Sequence, residues 1–272
     1  MTTAGEPEKW DATWRDADRL YTRNRPTSLR QFWHRLYAQD LWAEITRRGL
    51  GPTPHVLELG SGRGTTSMYM AARGCPVTLV DLSPTALERA AAAFRDEVLP
   101  PPTLVEADVR ETGLPDAIAD VVVNIGLLEH FDDPLPVLRE SVRLLRPGGL
   151  LFLVVVPQMD DARRRLSRAL FTPWRLLPEP LKARFRRTPA PRTTFHRTAY
   201  DREAWRRWLA QAGASDIEVL PYNPYMPTYK QPPLERWLTV PAYQLHHLWL
   251  RGHGLATDPR VALCDLLLAS RP

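Results

Sequence analysis

Four side chains able to do chemistry stand at the ends of short apolar runs in the first half of the chain: Glu58, Asp81, Asp108 and His130. A glycine loop, Gly60-Ser61-Gly62-Arg63-Gly64, follows directly on the first of them. Carboxylates accept hydrogen bonds from hydroxyl and amino groups, and bare glycine amides let a ligand lie against the backbone. An imidazole titrates near neutral pH and can take a proton from a hydroxyl or an amine. Asp81 stands about twenty residues beyond the loop, the separation at which a carboxylate reaches ribose hydroxyls in dinucleotide sites. The set describes a cradle for a nucleotide-type ligand beside a group fit for proton transfer.

Only a sheet with helical crossovers brings such residues together. Pro54 stops what precedes it, and Val56, Leu57 and Leu59 form the short apolar run of a strand covered on both faces. From Thr65 the pattern turns helical through Met68, Met70 and Ala71 until Gly74, so the loop opens onto a helix N-terminus with free N–H groups. A second strand at 76–80 ends in Asp81, and Ser83 and Pro84 start a helix with a hydroxyl at the cap and proline in the first turn. Further strands are expected at 103–106, 119–125 and 150–156, with a helix from Asp133 through Leu145 closed by Arg-Pro-Gly-Gly. The alternation predicts a parallel sheet with right-handed crossovers, and ligands of such sheets lie outside the strands' carboxyl ends.

The loop alone also suits a dinucleotide-dependent oxidoreductase, but the third glycine of that fingerprint would fall at position 65, where Thr65 stands. With Glu58 two residues ahead of Gly60, the stretch reads Glu-x-Gly-x-Gly-x-Gly and resembles the first motif of the class I S-adenosylmethionine-dependent methyltransferases. Asp81, Asp108 and a Leu-x-Pro-Gly-Gly turn before the fifth strand follow in that family's order across roughly 54–157. The resemblance implies an α/β, Rossmann-like fold with a seven-stranded, mostly parallel sheet, an antiparallel last strand and helical lid insertions. It implies S-adenosylmethionine as cofactor, S-adenosylhomocysteine as product and no metal. The methionine end would lie against Glu58, Gly60, Ser61, Gly62 and Gly64, the ribose on Asp81 and Leu82, and the adenine on Asp108 and the Val109 amide, with Asn124 and Ile125 passing beside the cofactor. The segment Leu128-Glu129-His130-Phe131 is similar to one found in small-molecule members, where His130 is either a general base or a turn-holding residue. N-terminal helices in this family close over the site, which makes Tyr21, Arg23 and Arg25 candidates for contact with a carboxylate.

A chain of 272 residues accommodates one large domain with additions. The boundaries expected are an N-terminal helical cap over 1–50, the cofactor-binding core over 54–157, a lid insertion over 158–197 and the second half of the sheet over 198–272. Within the last, an aromatic insertion spans 221–259. In the cap, Trp10 and Trp14 share a helical face, while Leu29, Phe32, Trp33, Leu36, Tyr37 and Ile45 follow helical spacing and read as a stripe packed on the sheet. A net charge of +5 arises from 36 basic residues mixed with 31 acidic ones, which argues against a nucleic-acid partner. Two cysteines, no secretory leader and no apolar run of membrane-spanning length point to a cytoplasmic protein.

Arginines 163, 164, 165 and 168 lead the lid insertion, which fits a cover facing an acidic substrate or, alternatively, a surface resting on a membrane. The prolines that interrupt it favour the cover. His196 at its end and Tyr225 in the second insertion join Tyr21 as acceptor-side candidates. Adjacent His246 and His247 point apart on a helix and make no metal pair; the aromatic residues around them build a wall or a homodimer contact. The expected function is methyl transfer to a small, acidic or aromatic organic acceptor of secondary metabolism. The alternatives are a cofactor-binding enzyme that does not methylate, such as a cyclase, and an NAD(P)-dependent oxidoreductase.

Overall fold

A computed structural model of the protein describes residues 10–11, 20–156, 198, 200–224, 237, 240–251 and 262–272. The first long helix, α1 (Leu29–Arg47), is capped by Ser28, whose side chain accepts from the Gln31 N–H. After it come β1 (Val56–Leu59), α2 (Thr65–Ala71), β2 (Val77–Asp81) and α3 (Pro84–Asp96). Next are β3 (Thr103–Glu106), β4 (Ala119–Ile125), a single 3-10 turn (Leu128–His130), α4 (Leu135–Leu144) and β5 (Leu145–Val155). The described elements end with α5 (Arg202–Gln211), β6 (Ser215–Pro224), α6 (Val240–Arg251) and β7 (Ala262–Ser270). The cap expected at Ser83 is in place, accepting from the Ala86 N–H ahead of α3, and Asp201 accepts from the Ala204 N–H ahead of α5.

The seven strands form one sheet in the order β3-β2-β1-β4-β5-β7-β6. Neighbours from β3 to β5 run parallel, and β7 lies antiparallel to both β5 and β6. Strand alternation divides the interior in two. Val56, Leu79, Val121, Val123 and Phe152 face α1, α2 and α3, while Leu57, Val80, Val122, Leu151 and Leu153 face α4 and α5. Almost every one of these side chains is fully buried, as an α/β sheet covered on both faces requires.

One boundary differs from the sequence expectation. β5 begins at Leu145 rather than at 150, because Leu145 already pairs with Ala119 before Arg146-Pro147-Gly148-Gly149 bulges out and pairing resumes at Leu150 with Val121. Gly149 is required there, since a Cβ would fall 2.9 Å from the carbonyl oxygens of Arg146 and Asp120. The sixth strand runs from Ser215 to Pro224 along β7. Asn223 within it takes the left-handed conformation at φ 55°, which asparagine tolerates better than most residues.

Candidate functional site

The carboxyl ends of β1, β2 and β4, the turn after β3 and the glycine loop converge on a cavity of about 390 Å³. Its sheet-side wall is made by Glu58, Gly60, Ser61, Asp81, Asp108 and Val109, with Leu82 and Ile125 beside them. Glu58 is buried, and its Oε2 accepts from the Ser67 N–H at 3.1 Å and the Ser67 hydroxyl at 2.6 Å, at the start of α2. Burial pushes its carboxyl up from 4.5 to about 7, against the opposing effect of the Ser67 bonds and with a further rise from Asp81.

Asp81 shapes the loop as well as facing the cavity. Its Oδ2 accepts from the Gly62 N–H at 2.7 Å and its Oδ1 from the Ser83 N–H at 2.9 Å. Burial raises its pKa, the backbone donors lower it, and Asp11 adds a like charge. Asp11 in turn accepts from the Ser83 hydroxyl, which ties the N-terminal segment to the start of α3. Asp108 is gripped by Arg110, whose Nε donates to Oδ1 at 2.9 Å and whose Nη2 donates to Oδ2 at 2.5 Å. That fork holds the carboxyl below its ordinary range.

The rest of the lining is mainly aromatic and imidazole in character, with Arg30 and Glu129 among its charged members. α1 supplies Arg30, Trp33, His34 and Tyr37, and the 3-10 turn supplies Glu129 and His130. Trp10 meets the His130 ring edge-on at 5.2 Å between centroids, and Leu20 lines the same side. Burial, with the charge of Arg30, lowers His34 to about 4, so its imidazole is neutral at physiological pH. The Tyr37 hydroxyl accepts from Asn223 Nδ2 at 3.3 Å. Thr198 donates through both its N–H and its hydroxyl to the Glu129 carbonyl, holding that turn from outside.

Not every expected contact lies on the cavity. Gly62 turns its amide toward Asp81, and Gly64 packs against the core, where a Cβ would fall 2.7 Å from Leu79 Cδ1. Asn124 is fully buried and does not line the cavity: alternation along β4 turns Ile125 toward it and Asn124 away, and the Asn124 amide makes no hydrogen bond to a described residue. Tyr21 is in the core, tilted against Tyr69 at 4.6 Å, and borders a separate, smaller hollow. Arg23 bonds to Glu97, and Arg25 does not line the cavity. His196, Tyr225 and the lid insertion over 158–197 lie outside the described residues.

Sequence reasoning missed the α1 contribution. Arg30, Trp33, His34 and Tyr37 recur at helical spacing, but the apolar stripe expected to pack on the sheet takes in only Trp33 and Tyr37 of them. The polar members at 30 and 34 are the signal that one side of it faces a site. Among the described residues, no group of three His, Cys, Asp or Glu side chains could hold a metal ion. None of the described helices is long and apolar enough to cross a membrane.

Comparison with known proteins gives three kinds of similarity. Residues 57–153 match a family model described as "Methyltransferase domain". Ubiquinone biosynthesis O-methyltransferase of Xanthomonas campestris pv. campestris is 35% identical over 108 residues, covering 38% of this chain and 43% of that protein. A probable S-adenosylmethionine-dependent methyltransferase of Mycobacterium tuberculosis is 32% identical over 128 residues, covering 46% of this chain and 43% of the other. The chain thus spans less than half the length of these relatives. In fold it is similar to magnesium protoporphyrin IX methyltransferase from Synechocystis PCC 6803, solved with bound S-adenosylhomocysteine, at a TM-score of 0.55 and 15% identity, over 97% of this chain and 93% of that one.

Proposed function

We propose that the chain, whose residues 57–153 match a methyltransferase domain, is an S-adenosylmethionine-dependent enzyme of the class I kind that transfers a methyl group to a small, planar organic acceptor. The observation that carries this reading is a single cavity lined by the glycine loop and the carboxylates of Glu58, Asp81 and Asp108 together with aromatic and imidazole side chains. The residues present fit the cofactor. Gly60 lies so close to Leu127 that a Cβ would fall 2.6 Å from its Cδ1, so only a bare backbone leaves room beside the loop. Glu58, buried with its carboxyl raised to about 7, is a site that gains from a bound ammonium, as on an amino-acid end. Asp81 retains acceptor capacity for ribose hydroxyls beyond its two backbone bonds, and Asp108 with the Val109 amide takes the adenine.

The cofactor supplies a methyl group already activated on a sulfonium, so no protein nucleophile is needed. What the chain contributes is alignment and exclusion of water. Trp10, Trp33 and Tyr37 offer aromatic surface to a flat acceptor, and exposed Arg30 attracts an acidic group on it. His130, held edge-on by Trp10, takes the proton that a hydroxyl or amine acceptor releases.

Two measurements test the proposal. Calorimetry should show S-adenosylhomocysteine binding and no binding of NAD; the reverse would make the chain an oxidoreductase. Incubation with methyl-labelled cofactor and candidate acceptors, followed by mass spectrometry, should yield labelled product. Turnover of an acceptor without label would instead place the chain among cofactor-binding enzymes that do not methylate. For His130, undiminished methyl transfer by His130→Ala at saturating acceptor would remove the general-base role.

A further inference from the structure

Bordered by the residues that directly follow Leu20 lies a second hollow of about 160 Å³. Arg23, Arg35 and Arg73 border it, together with Thr22, Gln39 and Tyr69. The three guanidinium groups come from three different elements: the segment before α1, α1 itself and the turn after α2. Of the three, only Arg23 has an ion-pair partner among the described residues, Glu97 at 3.4 Å. Arg35 donates to the Asn24 carbonyl at 2.7 Å, and Arg73 donates to the Tyr69 carbonyl at 2.8 Å and lies over the Trp42 ring. Neither has an ion-pair partner among the described residues, so each keeps N–H donors and a full charge to offer. The Gln39 side chain likewise has no hydrogen-bond partner among them.

The charges of Arg35 and Arg73 have no carboxylate partner among the described residues and repel one another, and a bound oxyanion relieves that repulsion. Guanidinium forks match the tetrahedral oxygens of a phosphoryl group in particular. We propose that this hollow is a binding site for a phosphoryl group, carried by a soluble phosphate compound or by a phospholipid headgroup. The site is distinct from the methyl-transfer cavity yet shares a wall with it. Leu20 lines the cavity while Tyr21, Thr22 and Arg23 line the hollow, and Thr22 is tied to Tyr69 by a donated and an accepted backbone bond at 3.3 and 3.2 Å. An anion bridging Arg23 to Arg35 and Arg73 fixes this segment to α1 and α2, and so fixes Leu20 against the cavity.

The test is a titration of the full chain with inorganic phosphate at constant ionic strength, read by thermal shift and by tyrosine fluorescence from Tyr21 and Tyr69, without any methyl donor present. A second arm measures co-sedimentation with phosphatidylglycerol vesicles against phosphatidylcholine vesicles. Saturable binding in either arm, weakened about tenfold or more in Arg35→Gln/Arg73→Gln, is the expected result, and the arm that responds names the source. Gln39→Glu, which places a carboxylate at the rim without removing any bond seen in the fold, should abolish binding with a melting temperature no lower than that of the parent chain. Absence of saturable binding in both arms, or binding indifferent to these substitutions, overturns the proposal. Because no donor or acceptor takes part, the outcome is independent of whether the chain transfers methyl groups.

Discussion

Replacing Glu58 with glutamine should make the ligand-free protein more stable and the cofactor complex weaker. Glu58 is 4% exposed, so ionising it removes a charge from water with only Ser67 to compensate. Its folded pKa of about 7 lies above the ordinary 4.5. The sign follows directly: the folded state holds this proton more tightly than the unfolded one. The associated stability is therefore complete below about pH 4.5 and is lost as pH rises through about 7. A shift of this size is worth about 3 kcal/mol by pH 8 at roughly 1.4 kcal/mol per pH unit. Glutamine keeps the acceptor for Ser67 and never ionises. Glu58→Gln should thus match the wild type near pH 4.5 and exceed it by about 2–3 kcal/mol at pH 8, a rise of roughly 5–10 °C in melting temperature. Thermal and urea denaturation across pH 5 to 8 read this. Calorimetry at pH 8 should show the variant binding S-adenosylhomocysteine at least about tenfold more weakly, since the ammonium loses its counter-charge. A variant no more stable than wild type at pH 8 would refute the burial argument. One that binds the ligand equally well would remove Glu58 from the cofactor site.

Three further outcomes are expected. Gly60→Ala and Gly64→Ala, both at φ 62°, should divide: the first pushes Leu127 into the cavity and chiefly costs ligand affinity, while the second presses on fully buried Leu79 and chiefly costs stability, about 1–3 kcal/mol by urea denaturation. Equal effects on both quantities would contradict the placement of the loop. Tyr222→Phe deletes the 2.6 Å donor to fully buried Asp40 and should cost about 1–3 kcal/mol, most of it recovered by combining it with Asp40→Leu. Burial pushes the thiols of Cys75 and Cys264 up, so neither should react with Ellman's reagent until the protein is denatured, when both should; a native-state thiol reacting at once would show that the core is open there.

The sheet and its acids were legible because they depend on local signals that nothing distant overrides. An apolar run of four or five residues ending in glycine or aspartate can do little but form a buried strand with its polar end at the rim, and β1 and β2 did so with Glu58 and Asp81 where expected. Asn124 was misplaced although the same rule applied to it. Neighbours on a strand face opposite sides, so Asn124 and Ile125 never had the same partner, and the apolar alternation of Val121, Val123 and Ile125 already assigned the cavity side. Arg110 escaped notice for a different reason: a residue two positions beyond Asp108 folds back on it only because the chain turns sharply after β3, bridging Asp108 to Glu111.

Apart from His130, the part of the lining proposed to meet the acceptor was beyond the reach of motif reading, and the reason is topological. The part proposed to hold the cofactor is built from successive strand ends, so its residues keep a regular spacing through the chain. The proposed acceptor side is assembled from Trp10, α1 and the turn after β4, more than a hundred residues apart and joined by no shared spacing. Helix periodicity locates the apolar stripe of α1 but not which flank of it meets the sheet and which meets a ligand. That choice is made in three dimensions, where Asn223, turned by its left-handed backbone, fixes the Tyr37 hydroxyl, and Asp40 one turn on accepts from Tyr222. Substitutions at 30, 33, 34 and 37 should therefore change which acceptor is used while leaving the affinity for S-adenosylhomocysteine within about threefold, because the two walls are held by different elements. If those substitutions weaken the cofactor as much as the acceptor, α1 closes over the donor instead, and the division of the cavity argued above is wrong.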